Sequence, residues 1–147
     1  MSKNTLNEIK LLFAAQEQHV VYLATLDSSG HPRVRPVTLM VTPSGYYIAT
    51  SRMTRKAAEI RECDKVEWVT LFPGERGTGY IRFAGNTIEV FGQEKRQAVE
   101  ENDYPVEKYW TGIDDPDFVV FRIEPERVEF IRPGENDALD VTDTFIN

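Results

Sequence analysis

The residues best suited to chemistry lie in one short run, Thr50-Ser51-Arg52-Met53-Thr54-Arg55-Lys56-Ala57-Ala58-Glu59-Ile60. Ser51 or Thr54 is a suitable helix cap, and Ala57, Ala58 and Ile60 supply an apolar face, so a helix is predicted to begin here. Its first turn carries Arg55 and Lys56, with Arg52 just before it. A helix start bears a partial positive charge, so cations are normally placed at the other end. The free N–H groups of a helix start suit an anion. Thr50, Ser51 and Thr54 add hydroxyl donors, and Arg55 and Lys56 add charge-assisted ones. A bound phosphate would cancel the repulsion between cations and dipole. The competing reading is that these cations are only solvated, at a cost of about 0.3–1 kcal/mol. Charge order favours the anion site. No acidic residue occurs between Asp27 and Glu59, and that window holds Arg33, Arg35, Arg52, Arg55 and Lys56.

The same chain has a formal net charge of −7 over 147 residues. Its length predicts a single domain, 1–147, with a real core. Its charge argues against general nucleic-acid binding. No long apolar run is present, so neither a signal peptide nor a membrane span is expected, and a cytoplasmic protein is the expectation. The single cysteine, Cys63, excludes an internal disulfide and a multi-cysteine zinc site, and packing explains it better than catalysis. Asp114, Asp115 and Asp117 lack the glycine and distal glutamate of a calcium loop, so no metal is expected. No nucleophile or acid–base dyad stands out, and the catalytic residues stay unassigned.

Several elements must position the basic run. Residues 3–18 have helical spacing. VVYLATLD (20–27), RVRPVTLMVT (33–42) and YYIAT (46–50) read as strands joined by short turns, an antiparallel meander. In the second strand Val34, Pro36, Thr38 and Met40 face one side; Arg33, Arg35, Val37 and Leu39 face the other. After the basic helix come KVEWVTLF (65–72) and YIRFAGNTIEVFG (80–92), with a bulge, bend or tight turn at Gly85-Asn86. Residues 93–110 read as a helix broken at Pro105. FVVFRIEPERVEFIRP (118–133) reads as two strands around Glu124-Pro125-Glu126. The acidic end, about 134–147, is expected to be a loosely held tail. The fold class is mainly β with short helices, a closed or nearly closed barrel that removes the edges of short strands. Trp68 alternates with Val66 and Thr70 and reads as core. Trp110, in EKYWTG, either covers a ligand pocket or packs at an interface.

The order of an arginine-bearing strand, YYIATS, TRKAAEI and a further strand resembles the FMN-binding split barrel of the pyridoxamine 5′-phosphate oxidase superfamily. KYWTGIDDPDFVVFRIEPERVEFI is similar to its small general-stress-protein branch. The resemblance spans roughly residues 5–132 and implies an antiparallel, Greek-key-like split barrel. It implies that Arg55 and Lys56 hold the FMN phosphate, with Arg35 approaching phosphate and ribityl chain and Thr50 and Ser51 on the phosphate side. Val37 and Leu39 would present backbone and apolar surface to the flavin. Tyr80 would stand near the ring, donated across a homodimer interface that carries the cofactor. Arg33, Thr54 and Trp110 complete the candidate set. The implied activity is hydride transfer between the flavin and a small molecule or NAD(P)H, with chemistry supplied by the cofactor. True pyridoxamine-phosphate oxidases carry a longer C-terminal region with Trp, Arg and His, which this chain lacks, so vitamin B6 oxidation is not expected. FAD, deazaflavin F420 and haem are the cofactor alternatives within the fold. The alternative from another class is a non-catalytic β-barrel module for a phosphorylated ligand.

Overall fold

A computed structural model describes residues 2–16 and 19–146. Helix α1 (Ser2–Ala14) precedes strands β1 (Val20–Leu26), β2 (Pro32–Thr42) and β3 (Gly45–Ser51). Helix α2 (Arg55–Glu62) leads to β4 (Lys65–Phe72) and β5 (Gly79–Val90); helix α3 (Gly92–Asn102) and a 3-10 turn (Val106–Lys108) follow. Strand β6 (Phe118–Ile131), the two-residue β7 (Leu139–Asp140) and the short α4 (Thr142–Phe145) end the chain.

The sheet runs β3-β2-β1-β4-β5-β6-β7, all antiparallel, and β6 pairs with β3 as well. Six strands therefore close into a barrel made of two meanders joined through α2. This is the antiparallel barrel expected from the sequence.

Period-two patterning sorts the side chains between two apolar cores. Leu23, Val37, Leu39, Ile48, Trp68, Phe83, Phe121 and Phe130 fill the barrel. Trp68 stacks on Phe83 with ring centroids 5.0 Å apart. The outward residues Met40, Tyr47, Val90, Phe118 and Val120 form a second cluster with Ala98, Val99 and Val106. That cluster binds α3 and the following turn to the outside of the barrel, and Tyr104 and Trp110 pack against it. Both faces of β3 are thus covered near its start, which is why YYIAT is nearly continuous in apolar residues.

Three boundaries differ from the sequence reading. The first helix ends at Ala14 rather than running to 18, and Glu17 and Gln18 lie outside the described residues. Residues 118–131 form one strand, not two: β6 keeps pairing with β5 across Pro125, with a register shift at Ala84/Gly85. A Cβ on Gly85 would lie 2.1 Å from the Glu124 carbonyl oxygen, so glycine is what lets β6 bend there. The acidic end is docked rather than loose. Leu139–Asp140 pairs with β6, Val141 is buried, and the Thr142 hydroxyl accepts the Val128 N–H at 2.9 Å. Phe145 packs edge-on to Phe83 at 5.8 Å and closes one barrel mouth. Phe145→Ala is expected to cost about 2 kcal/mol in urea unfolding, below the 3–5 typical of a fully buried phenylalanine; an unchanged midpoint would mean the end is not docked in solution.

Candidate anion site and groove

Thr54 caps α2. Its backbone is extended at φ −72°, ψ 153°, and its hydroxyl accepts the Ala57 N–H at 3.2 Å. Its carbonyl accepts the Ala58 N–H, also at 3.2 Å. Among the described residues the N–H groups of Arg55 and Lys56 have no protein acceptor. The Thr50 and Thr54 hydroxyls lie 3.0 Å apart, and Thr54 Oγ1 donates to the Ser51 carbonyl at 2.9 Å. Two free amides and a fixed group of hydroxyls therefore meet at the end of β3.

They stand at one end of a groove of about 730 Å³ on the outer face of β2 and β3. Thr38, Ala49, Ser51 and Lys56 line the barrel side; Asn102, Tyr104, Lys108, Tyr109 and Trp110 line the other. Trp110 Nε1–H donates to Ser51 Oγ at 3.1 Å, and its ring packs on Phe118 at 4.7 Å. The outer core thus holds the groove wall and fixes Ser51. Lys56 is half-buried. Burial, and secondarily the nearby Arg35 charge, lower its pKa from the ordinary 10.5. A partly desolvated ammonium beside another cation gains from an anion more than a solvated one does.

The structure distributes the sequence candidates unevenly. Thr50, Ser51, Thr54, Lys56 and Trp110 line the groove. Arg55 is exposed at the first helical position, and Arg33 is exposed across from Thr25 on β1. Arg35 is engaged with protein: its guanidinium donates to Glu59 at 2.7 Å, to Thr25 at 2.8 Å and to the Leu23 carbonyl at 3.3 Å. The side chain of Val37 is buried in the barrel core, so it offers the groove no apolar surface. Tyr80 lies elsewhere within the chain, in a shallow depression with Tyr22, Val34 and Val69. Arg52 turns away: its N–H meets Asp117, and its side chain lines another hollow with Arg61 and Lys95.

Sequence reasoning missed Glu59, which is 5 % exposed, and its partner Thr25. Thr25 Oγ1 donates to Glu59 at 2.7 Å. Hydrogen bonds from Thr25 and then from Arg35 hold the carboxyl below the ordinary 4.5. The available signal was Glu59 itself, the acid that ends the acid-free window one turn after Lys56. Lys108 and Tyr104 were also missed, for want of any periodic pattern. A second hollow, about 560 Å³, lies at the opposite end of β3. Its arginine, Arg122, is already paired with Glu94 and Glu124. Among the described residues no three His, Cys, Asp or Glu side chains gather as metal ligands, and no helix is long and apolar enough to cross a membrane.

These features define a split barrel with two unpartnered helix-start amides and a half-buried lysine at the end of a groove. The sequence model of the pyridoxamine 5′-phosphate oxidase family matches residues 8–132, and the chain belongs to that family. It is 29 % identical over 127 residues to General stress protein 26 of Bacillus subtilis, covering 86 % of this chain and 89 % of that one. It is 28 % identical over 135 residues to a pyridoxine/pyridoxamine 5′-phosphate oxidase of Coxiella burnetii, covering 74 % and 69 %. Its fold matches a haem-binding protein from Mycobacterium smegmatis with a TM-score of 0.76 at 20 % identity, over 91 % of this chain and 57 % of that one.

Thr54→Ala removes the cap and is expected to cost about 1 kcal/mol, read as a lower urea midpoint. Thr54→Asp, which caps as well, should recover most of it; an equal loss in both would show that the cap is not what Thr54 supplies.

Proposed function

We propose that the protein is an FMN-binding, oxidoreductase-like member of its family, with the flavin phosphate held at the start of α2. The observation that carries this reading is the pair of unpartnered N–H groups of Arg55 and Lys56 beside the half-buried Lys56 ammonium, at the end of a ligand-sized groove. The donor set fits a phosphate: main-chain amides, the Ser51 hydroxyl, one ammonium, and the exposed Arg55 guanidinium. A bound flavin would supply hydride chemistry with a small molecule or NAD(P)H. The chain's own work is to bind and orient. Lys56 and the helix start fix the phosphate end, Ser51 is held in place by Trp110, and the wall from Tyr104 to Trp110 limits access of water.

The fit to haem is poorer. His19 lines the groove, but its Nε2 lies 3.0 Å from the Phe13 carbonyl, which can only accept, so that nitrogen carries the proton. His31 is exposed in the β1–β2 turn.

A homodimer that completes the groove is part of the proposal. Val34 (66 % exposed), Tyr22 (45 % exposed), Val20 and Leu71 make an apolar outer face on β1, β2 and β4, with Tyr80 beside it on β5. It adjoins the groove floor, because Val20 sits opposite Thr38. A cytoplasmic setting is also proposed; the free Cys63 suits a reducing compartment.

Added FMN should survive desalting as a visible flavin spectrum. The Arg55→Ala/Lys56→Ala double variant should lose it while keeping its far-ultraviolet circular dichroism; equal retention in both proteins would refute the anchor. FMN affinity should fall as pH rises through the lowered Lys56 pKa, hence below the 10.5 of a free lysine. Lys56→Arg should remove that alkaline limb, and a limb that persists belongs to another group. Tyr22→Glu combined with Val34→Glu should halve the sedimenting mass; a wild-type protein that sediments as a monomer would contradict the dimer.

A further inference from the structure

The buried carboxylate of Glu59 is not needed to explain the anion site, yet it is built with care. One oxygen, Oε1, receives the Thr25 hydroxyl and the Arg35 Nη2–H, each at 2.7 Å. Arg35 Nη1–H donates back to Thr25 Oγ1 at 2.8 Å, so the three groups form a closed ring. A guanidinium has five N–H donors. Three are used, by Glu59, Thr25 and the Leu23 carbonyl, and the other two have no acceptor among the described residues. The Arg35 side chain is still 24 % exposed, so it reaches the surface. Glu59 follows Lys56 by three residues on α2, which places them on one helix face. Lys56 also feels the Arg35 charge.

We infer that Glu59 is a positioning residue for the phosphate site: it locks the Arg35 guanidinium so that its two remaining N–H groups serve an oxygen of the anion held by Lys56. This rests on the flavin reading above. Thr25 sets the rotation of the ring, and Glu59 supplies the compensating charge that makes a cation tolerable behind another cation. A freely rotating Arg35 would spread its donors over many orientations and lose the directional part of a charge-assisted bond.

The test is the FMN dissociation constant, read by quenching of flavin fluorescence, for wild type, Glu59→Gln, Glu59→Ala, Arg35→Ala and the Arg35→Ala/Glu59→Ala double variant, with a melting temperature for each. Glu59→Ala is expected to weaken binding by about tenfold, the scale of one charge-assisted bond lost. Glu59→Gln keeps an oxygen that accepts both hydrogen bonds, so its constant should stay within about threefold of wild type. In the Arg35→Ala background Glu59→Ala should add nothing, because the group it positions is gone. A purely structural Glu59 would lower the melting temperature and leave the constant unmoved, which overturns the inference. So would an equal loss with and without Arg35. If Glu59→Ala does not fold, Glu59→Asp takes its place, since the shorter carboxylate cannot reach both Thr25 and Arg35: weakened binding with Arg35 present and no further loss in the Arg35→Ala background supports the role, and an unmoved constant or an equal loss in both backgrounds overturns it. A wild type that does not bind FMN fails at the first titration and removes the flavin reading itself, an outcome distinct from the others.

Discussion

A strand that pairs with β3 and β5 along its first half and with β5 and β7 along its second has to bend, and that bend rests on Gly85. The Glu124 carbonyl occupies the space that any Cβ would need. Because β6 can turn there, its first half closes on β3, from Tyr46 opposite Ile123 to Ser51 opposite Phe118. Closure fixes the end of β3, and the end of β3 is where the site begins. Ser51, Thr54 and the free amides of α2 owe their placement to a backbone approach far along the chain, between Gly85 and Glu124.

The second organising fact is a local economy of charge within an acidic protein. Five cations occur in sequence without an intervening acid, but the fold does not leave them equivalent. Arg52 is directed to a different hollow, Arg35 is matched by buried Glu59, and Arg33 and Arg55 remain exposed. Lys56 alone is half-buried in the groove without a carboxylate partner among the described residues. Arginine with a carboxylate behind it gives directed donors at little net charge, whereas lysine gives a point charge. On the proposed reading, an anion beside α2 would meet one of each, together with a helix start.

Much of this was legible in the sequence. Alternation in VVYLATL and KVEWVTLF reports half-buried strands, and Thr54 followed by Arg-Lys-Ala-Ala announces a capped helix with cations in an unusual place. The Gly85-Asn86 irregularity was visible as well, though its partner was not: Pro125 suggested a break between two strands because proline interrupts pairing, and only the bulge opposite it shows how one strand continues. The docked end was hidden by composition. Phe145 and Val141 stand among acidic residues, and their burial depends on a barrel mouth that no local pattern encodes. Glu59 was hidden for a related reason. Its partners, Thr25 and Arg35, are 34 and 24 residues away, and only the β1–β2 register brings them together. Tyr80 was legible as a residue and not as a place, since within one chain it faces away from the groove.

The proposed flavin phosphate would sit on the N–H groups of Arg55 and Lys56. The most direct measurement is a ¹⁵N–¹H correlation spectrum of the assigned protein during titration with FMN. The largest amide shifts should fall on Arg55 and Lys56, moving downfield as hydrogen bonds to the anion form, with smaller changes at Thr50, Ser51 and Trp110. Shifts that leave those two amides unmoved, or that centre on the hollow around Arg122 at the far end of β3, would contradict it.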